Sequence, residues 1–209
     1  RTNTILHWIK PPSGRKDNAY ILGPTEWLKR LEGDERVSGV SPQLVAQGIA
    51  TYGKISLGIS IVGSDPEKTV SNIESSMISG KFSDIGNSGN RIAVGDELLK
   101  KIGATKGETL LLTVGKGLPL PFRIVSVFHL GVKTLDETRI FGSLRDIQQL
   151  NHTPSRISDI AIRLKNVSLA GDVAATYNLI GQEKVQSWDQ ANEGIMSVFT
   201  SQDIVRNSM

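Results

Sequence analysis

The 209 residues, 38% hydrophobic and 22% charged, suffice for one large domain or two small ones with a buried core. Lys and Arg number 24 against 21 Asp and Glu, interspersed, so a net charge of +3 argues against nucleic acid or an anionic membrane surface as partner. The absence of cysteine excludes disulfides, thiolate metal ligands and a cysteine nucleophile. No apolar run reaches the ~20 residues that span a bilayer, and no signal peptide is present. The chain opens on Arg1 rather than Met, which reads as a fragment or processed product with any membrane-spanning parts outside it.

Thr4 to Lys10 is apolar and β-favouring and stops at Pro11-Pro12. Pro24-Thr25 opens a short helix with Trp27, Leu28 and Leu31 on one face and Gly33 as its C-terminal cap. Val37 to Val62 favours strand. Within it Ile55, Leu57, Ile59 and Ile61 alternate with Ser56, Gly58 and Ser60, the period of a strand with one buried face. Gly63-Ser64-Asp65-Pro66 reads as a break. Beyond it come a strand at Ile92 to Val94, a helix capped by Asp96 and ended by Gly103, and a strand from Thr109 to Val114. A loop follows at Gly115 to Pro121, then a strand from Phe122 to Phe128, then another from Arg139 to Phe141. Ser143 with Asp146 resembles a capping box for a helix bearing Leu144, Ile147 and Leu150.

After Pro154 the first style returns. Ile160, Ile162 and Leu164 alternate with Ala161 and Arg163 as a half-buried strand. Ser168 caps a helix ended by Gly181, and Lys184 to Trp188 is a last strand. Residues 191–209 carry apolar positions at helical spacing. The order β-α-β-β, insert, β-α-β predicts an α+β fold: a split βαβ (ferredoxin-like) subdomain interrupted by a small inserted α/β subdomain. The corresponding segments are 1–64, 65–154, 155–190 and a terminal helix at 191–209.

No catalytic constellation emerges. His7, His129 and His152 lie in different elements and never at i, i+4 spacing, so no metal site is selected. No G-x-S-x-G elbow and no Walker loop exist, and Gly115-Lys116-Gly117 reads as a hairpin turn rather than a phosphate cradle. The carboxylates read mostly as caps, turns and exposed helix faces. Catalytic, cofactor-binding and metal residues are therefore expected to be absent. Trp8 and Trp27 read as core. Trp188, just before Asp189-Gln190-Ala191-Asn192, reads either as a plug at the base of the domain or as an anchor orienting it over a membrane.

Several pieces in order resemble the extracytoplasmic domains of MacB/FtsX-type ABC transporter permeases. Val40-Ser41-Pro42 is similar to their G-[IV]-[SD]-P element, and Ser79-Gly80-Lys81 to the x-G-[RK] that follows. Ile92-Ala93-Val94-Gly95, Leu98-Leu99, Ile102-Gly103 and Gly107-Glu108-Thr109-Leu110 resemble the long glycine-punctuated motif, with Glu108 where Asp is usual. Phe122 to Phe128 with Asp136 resembles the strand-then-Asp element, and Trp188 with Asn192 the W-x-x-x-N leading to a membrane helix. By spacing, the lipoprotein-releasing LolC/LolE branch is nearest. The resemblance covers nearly the whole chain.

It implies a porter-like subdomain split by a small one, in the periplasm or outside the cell, between two membrane helices. It also implies a cytoplasmic ATP-binding subunit reached through the parent permease, a second permease subunit, a periplasmic carrier or adaptor protein, and no cofactor. LolC-type members grip a carrier with a protruding hairpin. Its place here falls to Gly115 to Pro121, with Leu118, Pro119, Leu120 and Pro121 at the tip as the candidate partner-contact loop. Trp188 and Asn192 are the candidate membrane-proximal anchor. The competing readings are a free-standing periplasmic or surface adaptor of similar fold, and a hydrolase built from scattered carboxylates.

Overall fold

The computed structural model describes residues 6–10, 20–69, 73–87, 89–180 and 184–187; at 6–10, 167, 180 and 184–187 only the backbone is described. In chain order its elements are β1 (Leu6–Lys10), α1 (Pro24–Glu32), β2 (Val37–Tyr52), β3 (Ile55–Ser64), β4 (Met77–Ser79) and β5 (Arg91–Gly95). There follow α2 (Asp96–Ile102), β6 (Thr109–Val114), β7 (Leu120–Phe128), α3 (Lys133–Asp136), β8 (Arg139–Ser143) and α4 (Leu144–Leu150). The chain closes on β9 (Asp159–Leu164), α5 (Ala170–Ile180) and β10 (Lys184–Ser187). Short 3-10 turns at Ile73–Ser76, Phe82–Gly86 and Val167–Leu169 carry no clear sequence period and escape pattern reading.

The ends of the chain interleave. β9 lies between β1 and β2, and β10 flanks β1, every pair antiparallel. β1-α1-β2 and β9-α5-β10 thus form two βαβ units whose strands alternate, the split βαβ arrangement that the element order predicts. Both helices cover one face. Trp27 and Leu31, four apart on α1, are buried with Val173 and Tyr177 of α5 and with Ile160 and Ile162 of β9. The Trp27 and Tyr177 rings meet at 5.9 Å, tilted by 55°. α1 starts after left-handed Gly23 with Pro24 in its first turn, and Gly33 ends it as expected.

Asp34 ties this layer together. Its carboxylate accepts from Arg36 Nη2 at 2.7 Å, Arg36 Nε at 3.0 Å and the Tyr177 hydroxyl at 2.6 Å, joining the start of β2 to α5. The Arg36 hydrogen bonds hold the Asp34 carboxyl well below the usual carboxylate range against the opposing effect of its burial, with the Tyr177 hydroxyl assisting. Burial first, then the bond to Asp34, push Tyr177 up to about 12, so the phenol stays a donor.

The middle of the chain closes a ring. β2 pairs β3, β3 pairs β8, β8 pairs β5, β5 pairs β7, β7 pairs β6, and β6 returns to β2. Six strands therefore form a closed barrel, two of them lent by the hairpin β2–β3, and closure removes the exposed edges an open sheet would present. Its core contains Leu44, Ile59, Ile61, Ile92, Val94, Leu110, Leu112, Phe122, Ile124 and Ile140. Leu98 and Ile102 of α2 and Ile147 and Leu150 of α4 are buried in the same cluster. α4 comes this close because Gly63 and Gly142, paired across β3 and β8, have no side chains; a Cβ on Gly63 would stand 2.7 Å from the Ile147 Cβ. A smaller cluster of Ile73, Phe82, Ile85, Ala93 and Phe128 lies on the other side of β5 and β7.

Several sequence expectations change. Gly63 and Ser64 belong to β3, so the break begins at Asp65, whose Oδ1 accepts from Glu67 N. The alternation in β9 is incomplete: Asp159 and Ala161, on the face away from the helices, are buried as well, and only Arg163 is partly exposed, in a strand paired on both edges by β1 and β2. The α2 cap is Gly95, and Asp96 is the first helical residue. Asn166 Oδ1, not Ser168, accepts the free amide before α5, from Ser168 N. Ser143 does cap α4, accepting from Asp146 N, but the Asp146 carboxylate turns to Asn90 N instead of closing the box. Leu120 and Pro121 open β7, paired with Leu112 and Leu111, rather than lying in a loop. Trp27 is core as expected, while the Trp8 side chain and residues 188–209 lie outside the described residues.

Two stability predictions follow from these packings. Asp34→Asn keeps the shape but removes the charge that accepts from the Arg36 backbone and guanidinium and from the Tyr177 hydroxyl, and should cost about 1.5–3 kcal/mol at pH 7 by urea denaturation. Because the folded-state pKa is depressed, this stabilisation is present above the unfolded value near ~3.9 and fades as pH falls below it. The wild-type and Asp34→Asn stabilities should therefore converge in acid. Separately, a Cβ on Gly95 would stand 2.2 Å from the Asp136 carbonyl oxygen, whereas one on Gly58 meets nothing within 4 Å. Gly95→Ala should destabilise by about 1–3 kcal/mol or more, and Gly58→Ala by no more than ~0.5 kcal/mol.

Candidate functional site

The candidate partner-contact segment is the β6–β7 turn. Gly115 takes φ 57°, and Gly117 N bonds back to Val114 O at 3.0 Å, which closes the turn within five residues. The expectation of a glycine hairpin turn at 115–117 is met. Leu118 is 82% exposed and Pro119 is also exposed; Leu120 is half-buried and Pro121 faces outward from β7. The turn does not stand clear of the body. A Cβ on Gly117 would lie 3.3 Å from His152 Nε2, so the turn lies against the segment after α4. This is where β2 changes partner: Gly48 pairs with Val114 of β6, and Gln43 pairs with Asp159 of β9. Between them Val45 N donates to Ser158 Oγ at 2.8 Å, a side chain standing in for the missing ladder bond.

Leu118 is thus an apolar side chain presented at the junction of the two layers. Lys116 is the charged residue of the turn, while the outer faces of β2, β3 and β6 carry Gln47, Ile49, Thr51, Ser56, Gly58, Leu111 and Thr113, none of them charged. Such a surface can be covered without stranding a buried charge. Trp188 and Asn192 lie outside the described residues.

Three titratable side chains converge elsewhere in the barrel, past the C-terminal ends of β5 and β7. Asp136 is buried; its Oδ1 accepts from Leu130 N at 2.7 Å and its Oδ2 from Gly131 N at 3.0 Å. His129 Nδ1 lies 3.0 Å from Asp96 Oδ1 and 3.7 Å from Asp136 Oδ2. The Asp96 hydrogen bond, followed by the Asp96 charge, raises the His129 pKa above its ordinary value. Burial opposes ionisation of Asp96, but hydrogen bonds from His129 and Lys100 hold its pKa below the usual range. The sequence shows no sign of this group because its members are 33 and 7 residues apart on three elements. Asp136, Asp146 and Asp159 are the buried carboxylates among the described residues; the first accepts turn amides and the second lies in the first turn of α4.

Two residues of the glycine-punctuated motif acquire physical reasons. Gly95 has no room for a side chain beneath the Asp136 backbone. Glu108 closes its own turn by accepting from Thr105 N at 2.6 Å and accepts from the Tyr52 hydroxyl, linking the entry of β6 to the end of β2. A shallow polar hollow of about 380 Å³, lined by Gly86, Gly89, Asn90, Ser143, Arg145, Asp146 and Gln149, touches none of the residues singled out as site candidates. Among the described residues no helix is long and apolar enough to cross a membrane.

The architecture is that of a split βαβ layer carrying a barrel, an α+β fold that solved structures share. The chain is similar to the periplasmic region of MacB from Actinobacillus actinomycetemcomitans: TM-score 0.65, 16% identity, covering 91% of this chain and 92% of that one. It is also similar to the extracellular domain of the noncanonic ABC-type transporter YknZ from Gram-positive bacteria: TM-score 0.57, 14% identity, covering 88% and 99%. At such identities the likeness is one of fold, and the chain has the fold of the MacB periplasmic region. No protein-family model and no curated protein matches the sequence.

Because Leu118 has few neighbours to lose, Leu118→Asp should leave stability within ~0.5 kcal/mol of wild type. A loss well beyond that in urea denaturation would show that Leu118 is a packing residue of the turn rather than a free contact.

Proposed function

We propose that this chain is the extracytoplasmic domain of an ABC transporter permease subunit, coupling cytoplasmic ATP hydrolysis to the release or export of a substrate such as a lipoprotein. The observation that carries this reading is the extent of the fold likeness: it runs through both the split βαβ layer and the barrel and nearly fills both chains. The ordered motifs from Val40 to Asp136 support it independently of the coordinates, and by their spacing we assign the chain to the LolC/LolE branch. In this reading the domain stands in the periplasm or outside the cell and has no turnover of its own. ATP is hydrolysed by a separate cytoplasmic subunit, and a second permease subunit completes the transporter.

The same proposal divides the chain into a porter-like subdomain, 1–64 and 155–190, an inserted subdomain, 65–154, and a juxtamembrane helix, 191–209. The cluster shared by Ile21, Trp27, Leu31, Ile160 and Tyr177 supports joining the first and third segments. Leu118, Pro119, Leu120 and Pro121 are assigned to contact with a periplasmic carrier or adaptor, and Trp188 and Asn192 to anchoring over the membrane. The turn is short, so the contact offered is a small apolar tip rather than a long grasping arm.

Topology of the full-length protein tests this. A reporter active only outside the cytoplasm, inserted after Lys116, should be active, and helix-length apolar segments should flank residues 1–209. An inactive reporter, or a full-length protein recovered wholly in the soluble fraction, would overturn the proposal. A photo-crosslinker at position 118 of the full-length protein should join it to a second extracytoplasmic protein. Adducts confined to the permease itself would remove the partner-contact assignment.

A further inference from the structure

We propose that Asp96, His129 and Asp136 form a binding site for a divalent transition-metal ion, zinc foremost, at the barrel end formed by the C-termini of β5 and β7.

The geometry suits such an ion. One ligand atom from each residue can be chosen so that all lie within 4.8 Å of one another. Zinc held at about 2.0–2.1 Å by nitrogen and oxygen in a tetrahedron places its ligand atoms roughly 3.3 Å apart. The observed separations from His129 Nδ1, 3.0 Å to Asp96 and 3.7 Å to Asp136, bracket that value. The remaining edge, between the two carboxylates, closes within 4.8 Å.

The ligands are also pre-set by the fold. Asp136 is buried and fixed by the amides of Leu130 and Gly131, the two residues that follow His129. One short loop thus aims both the carboxylate and the imidazole, and its amides act as the outer hydrogen-bonding shell that such ligands need. Asp96 sits on the first turn of α2, directly after Gly95, which is pressed against the Asp136 backbone. The first turn of α2, the residue after β7 and the end of α3 each supply one ligand. His129 is half-exposed, which leaves the remaining coordination position on the solvent side.

The donor set narrows the ion. One imidazole nitrogen with two carboxylates favours zinc and its transition-metal neighbours over magnesium or calcium, which prefer oxygen alone. Two carboxylates and a neutral imidazole also balance the charge of a divalent cation. A proton on His129 would place an imidazolium between the two carboxylates, so proton and metal compete for one site. The charged groups that act on His129 and Asp96 are Asp96, Glu97 and Lys100 on α2 and Asp136 on α3, while the neighbouring Glu137 is paired with Lys101 at 2.9 Å.

The test is calorimetric titration of the chelator-treated 209-residue chain with zinc chloride. Wild type should bind one ion per chain at pH 7.5, more weakly at pH 6, and its Tm should rise with zinc. His129→Gln and Asp96→Asn should each weaken binding by about tenfold or more and abolish the Tm rise. His152→Gln should bind as wild type does. Asp136 is left intact because its carboxylate holds the loop. No saturable one-to-one binding by wild type, or folded His129→Gln and Asp96→Asn chains that bind within threefold of wild type, overturns the site. This outcome is independent of the transporter reading, which stands or falls on topology.

Discussion

The structure depends on one strand having two neighbours along one edge. β2 is 16 residues long, about 50 Å of extended chain, roughly three times the usual strand. Its first half pairs β9 and so belongs to the split βαβ layer; its second half pairs β6 and so closes the barrel. On the other edge β3 runs beside it from Gln43 to Tyr52, across the point where the partner changes. The two parts of the molecule are therefore not beads on a string. They share backbone hydrogen bonds, and each supplies part of the other's framework.

Burial follows the same division. The helices α1 and α5 cover one face of the interleaved strands, and Asp34 locks the beginning of β2 to α5 through Arg36 and Tyr177. In the barrel, the inward residues of β2 and β3, Leu44, Ala50, Ile59 and Ile61, are buried with residues contributed after position 90. The chain leaves β3 at Ser64 and returns at Asp159, 95 positions on, to lie beside β2, the other strand of the same hairpin. Long-range pairing of this kind must be closed against loop entropy, and the buried apolar clusters on both sides of the junction are what offset it.

Much of the fold was legible because amphipathic periodicity is local. The alternation in Ile55–Ile61, the apolar face of Trp27 and Leu31, and the order of strands and helices at the two ends were enough to anticipate the interleaved layer. Barrel closure was not legible, since nothing in Gly48 or Val114 announces that these residues pair across 66 positions. Caps were misassigned where a polar residue had a better use: Asp96 is drawn to His129 and Lys100, and Asp146 to Asn90. The glycine turn at 115–117 was legible, but the loop expected to run to Pro121 ends at Pro119, and its position against His152 is a tertiary fact. The group formed by Asp96, His129 and Asp136 was invisible for a similar reason, since three ends of three elements meet only after β5 and β7 have paired in parallel.

The ten consecutive pairs between β2 and β3 have a mechanical meaning. A load drawn along the strand axis meets these cross-strand bonds side-on and must strain them together, whereas a load that pries the strands apart meets them singly. The hairpin is therefore stiff in one direction and weak in the other. A pull entering at the helix-covered layer along β2 reaches the barrel as a displacement of the whole hairpin, with little lost to stretching in between.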